Sequence, residues 1–326
     1  MKKEDLRIVF MGTPEFAVES LKRLVEGGYH VVAVVTQPDK PVGRHQDTLQ
    51  PSQVKQYALS QGLPVLQPVK MKDPDFVEAL RSYNADLQVV VAFRMLPEVV
   101  WDMPRFGTFN VHAALLPQYR GAAPINWAVI NGETETGVTT FFLDHDIDTG
   151  RIIMQKPFAI PDEADVEYVY DGLMHLGADI ATETIDRLLE ADGQIDSMPQ
   201  EEMITTDTVL HPAPKIFKDT CRINLEQPAK KVYDFIRGLS PYPGAWIEIQ
   251  KEGGKAQVLK IFKSTKTGQQ VAGTAVGTLR VEGKLLQIAC GDEWLQLDTI
   301  QISGKKRMEA RDFLNGMRDI ELYKSI

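Results

Sequence analysis

Cysteine is nearly absent from this chain of 326 residues: there are only two, Cys221 and Cys290, and they lie far apart. Two isolated cysteines provide neither a disulfide framework nor the closely spaced ligands of a zinc site. No apolar run is long enough to cross a bilayer, and four of the first five residues are charged, unlike a secretory signal. We therefore expect a cytoplasmic protein with two buried thiols and no membrane contact.

Acidic residues outnumber basic ones. The chain has 36 Lys and Arg against 45 Asp and Glu, which gives a formal net charge of −9 at pH 7. Indiscriminate binding of nucleic acid requires a basic surface that neutralises phosphates, so the composition argues against it. Any nucleic-acid partner has to be bound by a local basic patch.

The first apolar run lacks a nucleotide-binding glycine motif. Gly12-Thr13-Pro14 follows that run, but it matches neither G-x-G-x-x-G nor a P-loop. Pro14 is typical of the first turn of a helix. Dinucleotide binding is therefore disfavoured.

Continuous apolar strands alternate with helical patterns in the first half of the chain. The predicted strands are 7–11, 30–36, 87–92, 107–112, 137–143 and 152–155, and the predicted helices are 14–26, 52–61, 73–82 and 165–190. Strands that are apolar at every position indicate a parallel sheet covered on both faces. We predict an α/β fold, with a Rossmann-like parallel-sheet domain over residues 1–191. Ligands of such sheets bind at the carboxyl ends of the strands.

The composition changes in the second half. Residues 192–214 are polar and proline-containing, and they are predicted to be a linker. A helix near 228–238 is followed by short predicted strands at 245–249, 257–262, 277–281, 285–289 and 293–297. Short strands at this spacing predict a smaller OB-like β-barrel domain over residues 215–326.

The predicted strand 107–112 ends in two chemically useful side chains. Because strand side chains alternate between faces, Asn110 and His112 should lie on the same side. An amide that donates and an imidazole that donates or accepts suit the polarisation of a carbonyl and the movement of a proton. Taken alone, however, such a pair is more often a polar strand end with a satisfied histidine.

The flanking residues favour the catalytic interpretation. His112 is followed by Leu-Leu-Pro at 115–117, by Arg-Gly at 120–121 and by Asp-Thr-Gly at 148–150. This combination resembles the active-site signature of the 10-formyltetrahydrofolate-dependent formyltransferases. Segments 11–17, 119–127 and 235–246 also resemble the branch of that family that acts on tRNA. Ala114 departs from the pattern, since the family usually has serine there.

The resemblance implies transfer of a formyl group from 10-formyltetrahydrofolate to the α-amine of methionine on initiator tRNA, as preparation for translation initiation. It implies catalytic roles for Asn110, His112 and Asp148, with no metal, and we expect a monomer. Folate would contact Ala114, Leu115, Leu116, Pro117, Phe93, Arg94, Met95, Leu96 and Asp144. The tRNA would contact Arg44, Lys40, Lys305, Lys306 and Arg307.

Other interpretations stay open at this point. Segments 119–121 and 131–137 also suit formyltransferases that act on a UDP-linked amino sugar, although segments 12–14, 38–44 and 120–124 favour tRNA. From a different class, an α/β platform with an OB-like barrel could be a non-catalytic RNA-binding protein. Asp144, Asp146 and Asp148 alternate as in a calcium loop, but the further ligands of such a loop are missing.

Arg44 gives a test of the tRNA interpretation. Arg44→Ala is expected to lower kcat/KM for the tRNA substrate and to flatten its salt dependence, because a lost phosphate contact releases fewer counterions. Residues 45–48 contain no lysine, so this arginine should matter more here than in a lysine-rich loop. Affinity for the folate donor is the internal control and should stay at the wild-type value. Equal activity of variant and wild type across a salt series contradicts the assignment.

Overall fold

The computed structural model describes residues 1–42 and 48–326, so Arg44 lies outside the described residues. The chain divides into two compact units that interleave along the sequence. The first unit comprises Met1–Gly121, Glu135–Ala159 and Tyr170–Pro212, and the second comprises Ala122–Thr134, Ile160–Val169 and Ala213–Ile326. The domain boundaries drawn from the sequence, with a linker over 192–214, stay a prediction.

A seven-stranded sheet forms the centre of the first unit. The strands of this unit are β1 (Ile8–Gly12), β2 (Val31–Val35), β3 (Lys40–Val42), β4 (Thr48–Gln50), β5 (Val65–Leu66), β6 (Leu87–Val91), β7 (Thr108–His112), β8 (Glu135–Phe142) and β9 (Ile152–Ala159). The order in the main sheet is β5-β2-β1-β6-β7-β8-β9, and β3 pairs only with β4. The strands from β5 to β7 are parallel, whereas β8 and β9 are antiparallel. The predicted parallel-sheet α/β fold is confirmed, with a mixed edge.

The helices follow from ordinary sequence signals. They are α1 (Glu15–Glu26), α2 (Gln53–Ser60), α3 (Pro74–Ser82), α4 (Glu98–Trp101), α5 (Pro124–Ile130) and α6 (Val166–Glu190). Ser52 and Asp73 cap α2 and α3 by accepting hydrogen bonds from backbone N–H groups of the first turn. Between residues 1 and 42 and from 48 onward, the structure contains no helix long and apolar enough to span a membrane.

The strands of the main sheet differ in how completely they are buried. β1, β2 and β6 are buried at every position because helices and loops cover both faces of the sheet. β7 is buried except at Asn110, which is partly exposed. Its last residue, His112, pairs with Thr139 of β8. The carboxyl end of β7 is therefore the place in this sheet where a buried imidazole meets solvent-accessible polar groups.

The second unit contains an antiparallel barrel. Its further elements are α7 (Ala229–Gly238), β10 (Ala245–Lys251), β11 (Gln257–Gln270), β12 (Leu279–Glu282), β13 (Leu285–Ala289), β14 (Glu293–Ile302), β15 (Met308–Glu309), α8 (Ala310–Gly316) and β16 (Tyr323–Ser325). The sheet order is β12-β13-β14-β11-β10-β16. A bridge between Thr278 and Lys324 nearly closes the barrel, which confirms the predicted fold class. Both cysteines are buried here, and burial raises the pKa of the Cys290 thiol to about 12.

Arg237 is a buried charge in the second unit. Its side chain is only 8% exposed, and its Nη2 lies 2.8 Å from Oδ1 of the equally buried Asp234. Its Nη1 donates to the backbone carbonyl of Ala164 at 2.8 Å. Asp234 also accepts from Lys230 Nζ at 2.7 Å. This pairing compensates the buried charges and attaches residues 160–169 to α7.

Arg237→Ala is expected to lower the free energy of unfolding by about 3–5 kcal/mol, because the change removes the guanidinium from a buried carboxylate, which then keeps only Lys230, and from the carbonyl of Ala164. Urea denaturation followed by circular dichroism measures the loss. Arg222→Ala is the matched control, since Arg222 belongs to the same unit and is 49% exposed. A loss for Arg237→Ala that is no larger than the control's contradicts the structural role.

Candidate active site

His112 faces a backbone carbonyl with one ring nitrogen and a carboxylate with the other. Its side chain is 6% exposed, and Nε2 lies 2.8 Å from the backbone carbonyl oxygen of Tyr119. Because a carbonyl can only accept, Nε2 carries a proton and donates it. Nδ1 faces the Asp148 carboxylate, with 3.8 Å between Nδ1 and Oδ2. The ring therefore has a fixed orientation, and its second nitrogen points at a negative charge.

Asp148 reaches the histidine through an unusual turn between β8 and β9. Its backbone adopts φ +56°, in the left-handed region, and its side chain is 14% exposed. Oδ2 accepts a hydrogen bond of 3.0 Å from the backbone N–H of Gly121. Glycine at position 150 is required because a Cβ there would lie 1.6 Å from the carbonyl oxygen of Phe142. The Asp-Thr-Gly sequence thus folds the chain tightly enough to return the carboxylate to His112.

Gln200 is a site residue that the sequence does not reveal. It is fully buried, although it lies in the segment predicted to be a linker. Its Nε2 donates to the carbonyl oxygens of Asp148 and Gly150, each at 2.8 Å. Its Oε1 accepts from Nε and Nη2 of Arg120, at 3.0 and 2.6 Å. A polar segment without hydrophobic periodicity gives no sequence signal for such a buried amide.

The loop after β7 is fixed by two side chains from β8 and β9. Thr139 Oγ1 donates to the carbonyl of Ala114 at 2.6 Å and accepts from the N–H of Leu116 at 3.1 Å. Gln155 Nε2 donates to the carbonyl of Leu116 at 2.7 Å. Three backbone groups of segment 114–117 are therefore bound within the protein. The sequence analysis did not identify Thr139 or Gln155, which look like ordinary strand residues.

The predicted folate segment 93–96 follows β6. Arg94 donates from Nη1 to the carbonyl of Val69 at 2.9 Å, and burial lowers the pKa of its guanidinium. Phe93 and Leu96 pack against the core beside β1, β2 and β6, whereas Met95 is 65% exposed. Because β6 and β7 are parallel neighbours, segments 93–96 and 114–117 leave the sheet at the same edge.

Asp144 lies in the turn between β8 and β9, apart from the other predicted folate residues. β8 ends where Phe142 pairs with Phe109, near the beginning of β7 and away from its His112 end. The Asp144 carboxylate accepts from the backbone N–H of His145 at 2.7 Å. Among residues 1–42 and 48–326, no group of three or more His, Cys, Asp or Glu side chains is arranged to hold a metal ion.

The described candidates for tRNA binding occur in both units and are exposed. Lys40 begins β3 in the first unit. Lys305 and Lys306 lie in the exposed turn between β14 and β15 of the second unit. Arg307 stacks its guanidinium 3.5 Å from the ring centroid of Phe262 and donates to the carbonyl of Pro241. These positions leave the two lysines more accessible to a partner than the arginine.

Comparison with known proteins places the chain in a family. Residues 6–185 match the model described as formyl transferase, and residues 215–318 match the model described as formyl transferase, C-terminal domain. Methionyl-tRNA formyltransferase from Parabacteroides distasonis is 62% identical over 324 residues, which covers 99% of each chain.

Solved structures with similar folds are more distant in sequence. A sugar 3N-formyl transferase, solved in the presence of dTDP and 5-N-formyl-THF, has a TM-score of 0.64 and 19% identity, covering 92% of this chain and 99% of its own. HypX from Aquifex aeolicus in complex with tetrahydrofolic acid has a TM-score of 0.60 and 18% identity, covering 96% of this chain and 48% of its own. At such low identity these likenesses show the fold alone. The family models and the full-length relative show more: this chain belongs to the formyl transferase family and, within it, to the methionyl-tRNA formyltransferases.

Proposed function

We propose that this chain acts as a cytoplasmic monomer and transfers a formyl group from 10-formyltetrahydrofolate to the α-amine of methionine on initiator tRNA. Family membership supports the reaction class and the substrate. The structural observation that carries the proposal is the His112–Asp148 pair, 3.8 Å apart at the carboxyl end of β7, with Asn110 on the same strand. The UDP-linked amino-sugar alternative has weaker support, since the related sugar enzyme is only 19% identical.

The reaction begins with attack of the neutral α-amine on the formyl carbon. The formyl oxygen becomes negatively charged in the tetrahedral intermediate and requires hydrogen-bond donors. The Asn110 side-chain amide and a protonated His112 supply them from one face of β7. Loss of one such donor typically raises the barrier by about 3–4 kcal/mol.

His112 also moves the proton that the reaction requires. Because the Tyr119 carbonyl holds Nε2–H, Nδ1 is the nitrogen available for proton exchange. The Asp148 carboxylate places negative charge beside Nδ1, and at 3.8 Å it does not hold that nitrogen in a short hydrogen bond. The amine loses one proton, and N10 of the departing folate gains one as its bond to the formyl carbon breaks.

The remaining predicted residues are proposed to bind the two substrates. Segments 93–96 and 114–117 share one edge of the sheet, and there we propose the folate site. Asp144, in the turn that follows β8, is proposed as a further folate contact. Arg44, Lys40, Lys305, Lys306 and Arg307 are proposed to contact the tRNA. An overall charge of −9 makes such a set of local cations necessary for binding RNA.

A substrate comparison tests the proposal directly. The purified chain is incubated with 10-formyltetrahydrofolate and either methionyl initiator tRNA or a UDP-linked amino sugar. We expect formylated methionyl-tRNA and no formylated sugar, with uncharged tRNA as the blank. Formylation of the sugar alone, or of neither substrate, contradicts the proposed function.

His112→Ala is expected to abolish turnover while donor affinity stays near the wild-type value, because the histidine acts chiefly on the transition state. Single-turnover kinetics and equilibrium binding of the folate separate the two effects. His175→Ala is the matched control, since that histidine is 60% exposed and belongs to the same unit. A raised KM with an unchanged kcat would show that His112 takes no part in the chemical step.

Asp148→Asn is expected to lower kcat roughly 10²–10⁴-fold, because it removes the negative charge that faces Nδ1 of His112. The new amide oxygen can still accept from Gly121 N–H, so the free energy of unfolding should change little. Asp146→Asn, an exposed carboxylate in the same turn, is the control and should keep its kcat. A wild-type kcat for Asp148→Asn shows that the carboxylate has no catalytic role.

A further inference from the structure

The structure assigns to Gln200 the role of a positioning residue for formyl transfer: it holds the Asp148 turn in the conformation that directs the carboxylate at His112. Gln200 lies in a segment whose sequence suggests a linker, and it contacts no reacting atom. This inference rests on the proposed function of Asp148.

The side chain of Gln200 is matched to its surroundings at every polar atom. Its amide has two N–H donors, which bind the Asp148 and Gly150 carbonyls at 2.8 Å each. Its oxygen has two lone pairs, and these accept from Nε and Nη2 of Arg120. A side chain that is 0% exposed and uses all of this capacity is specific to glutamine at this place. Leucine loses all four bonds, and glutamate loses the two donors.

The Asp148 backbone requires such support. A non-glycine residue in the left-handed region, here with φ +56°, is conformationally strained. It persists only where surrounding contacts determine it. Gln200 binds the carbonyl oxygens on both sides of the turn, of Asp148 and of Gly150. Without those bonds the turn can relax and move the carboxylate away from Nδ1 of His112.

Arg120 extends the same support to the carboxylate itself. Arg120 is bound by Gln200 and precedes Gly121, whose N–H donates to Asp148 Oδ2 at 3.0 Å. One glutamine therefore restrains both the backbone of Asp148 and the loop segment that binds its side chain.

Tyr119 connects this segment to the other member of the pair. Its carbonyl binds His112 Nε2, while its N–H donates to the His211 carbonyl at 2.7 Å. The rings of Tyr119 and His211 stack, with centroids 5.9 Å apart. Residues 200–211 thus contact the supports of both His112 and Asp148, which makes this stretch part of the catalytic framework.

The test uses Gln200→Leu and Gln200→Glu in the full-length chain with both substrates. Gln200→Leu is expected to lower kcat about tenfold to hundredfold, as small misplacements of catalytic groups do, and to leave both KM values within about twofold. Gln200→Glu keeps the acceptor for Arg120 and should recover part of the loss. Gln88→Leu is the matched control, because it replaces an equally buried glutamine of the same unit outside the site and should keep kcat.

A double substitution separates positioning from general stability. Because Gln200 acts through the Asp148 carboxylate, adding Gln200→Leu to Asp148→Asn should lower kcat no further. A multiplied loss in the double variant, or an unchanged kcat in Gln200→Leu, overturns the inference. If Gln200→Leu does not fold, the same cycle is run with Gln200→Glu. A normal kcat for Asp148→Asn alone instead refutes the proposed role of Asp148.

Discussion

The proposed active site depends on one constraint, the fixed orientation of the His112 ring between a carbonyl and a carboxylate. The Tyr119 carbonyl occupies Nε2 at 2.8 Å, so only Nδ1 can exchange a proton with a reacting group. Asp148, at 3.8 Å, supplies negative charge at that nitrogen. The contacts of Gln200, Gly121 and the His211 carbonyl place these two oxygens.

Placing the two oxygens has a conformational cost that other parts of the first unit offset. Tyr119 and Asp148 have φ values of +58° and +56°, both in the left-handed region. Gln200 and Gly121 donate hydrogen bonds to Asp148, and the His211 carbonyl accepts one from the N–H of Tyr119, so these residues are held in place. The polar stretch that resembles a linker is therefore a structural part of the proposed active site.

In an acidic chain that acts on tRNA, some basic side chains serve the protein's own structure, and others stay accessible to the RNA. Much of its basic charge is engaged in ion pairs or stacking, as Arg237 is with Asp234 and Arg307 is with Phe262. Lys305 and Lys306 project from an exposed turn instead. Binding by a few accessible cations fits a partner that is recognised locally, since long-range attraction to RNA is weak for a protein of net charge −9.

The sequence by itself determined what depends on local pattern. Continuous apolar runs predicted β1, β2, β6 and β7, helical spacing predicted α1 and α6, and strand alternation placed Asn110 and His112 on one face. Elements as short as β5, α4 and β16 lack enough residues for a periodic signal. Only the tertiary structure decided the contacts of Gln200 with Asp148, 52 residues away, and with Arg120, 80 residues away. Hydrogen bonds between residues so far apart in sequence depend on how the tertiary fold brings the segments together. The local periodicity of a sequence carries no information about such contacts.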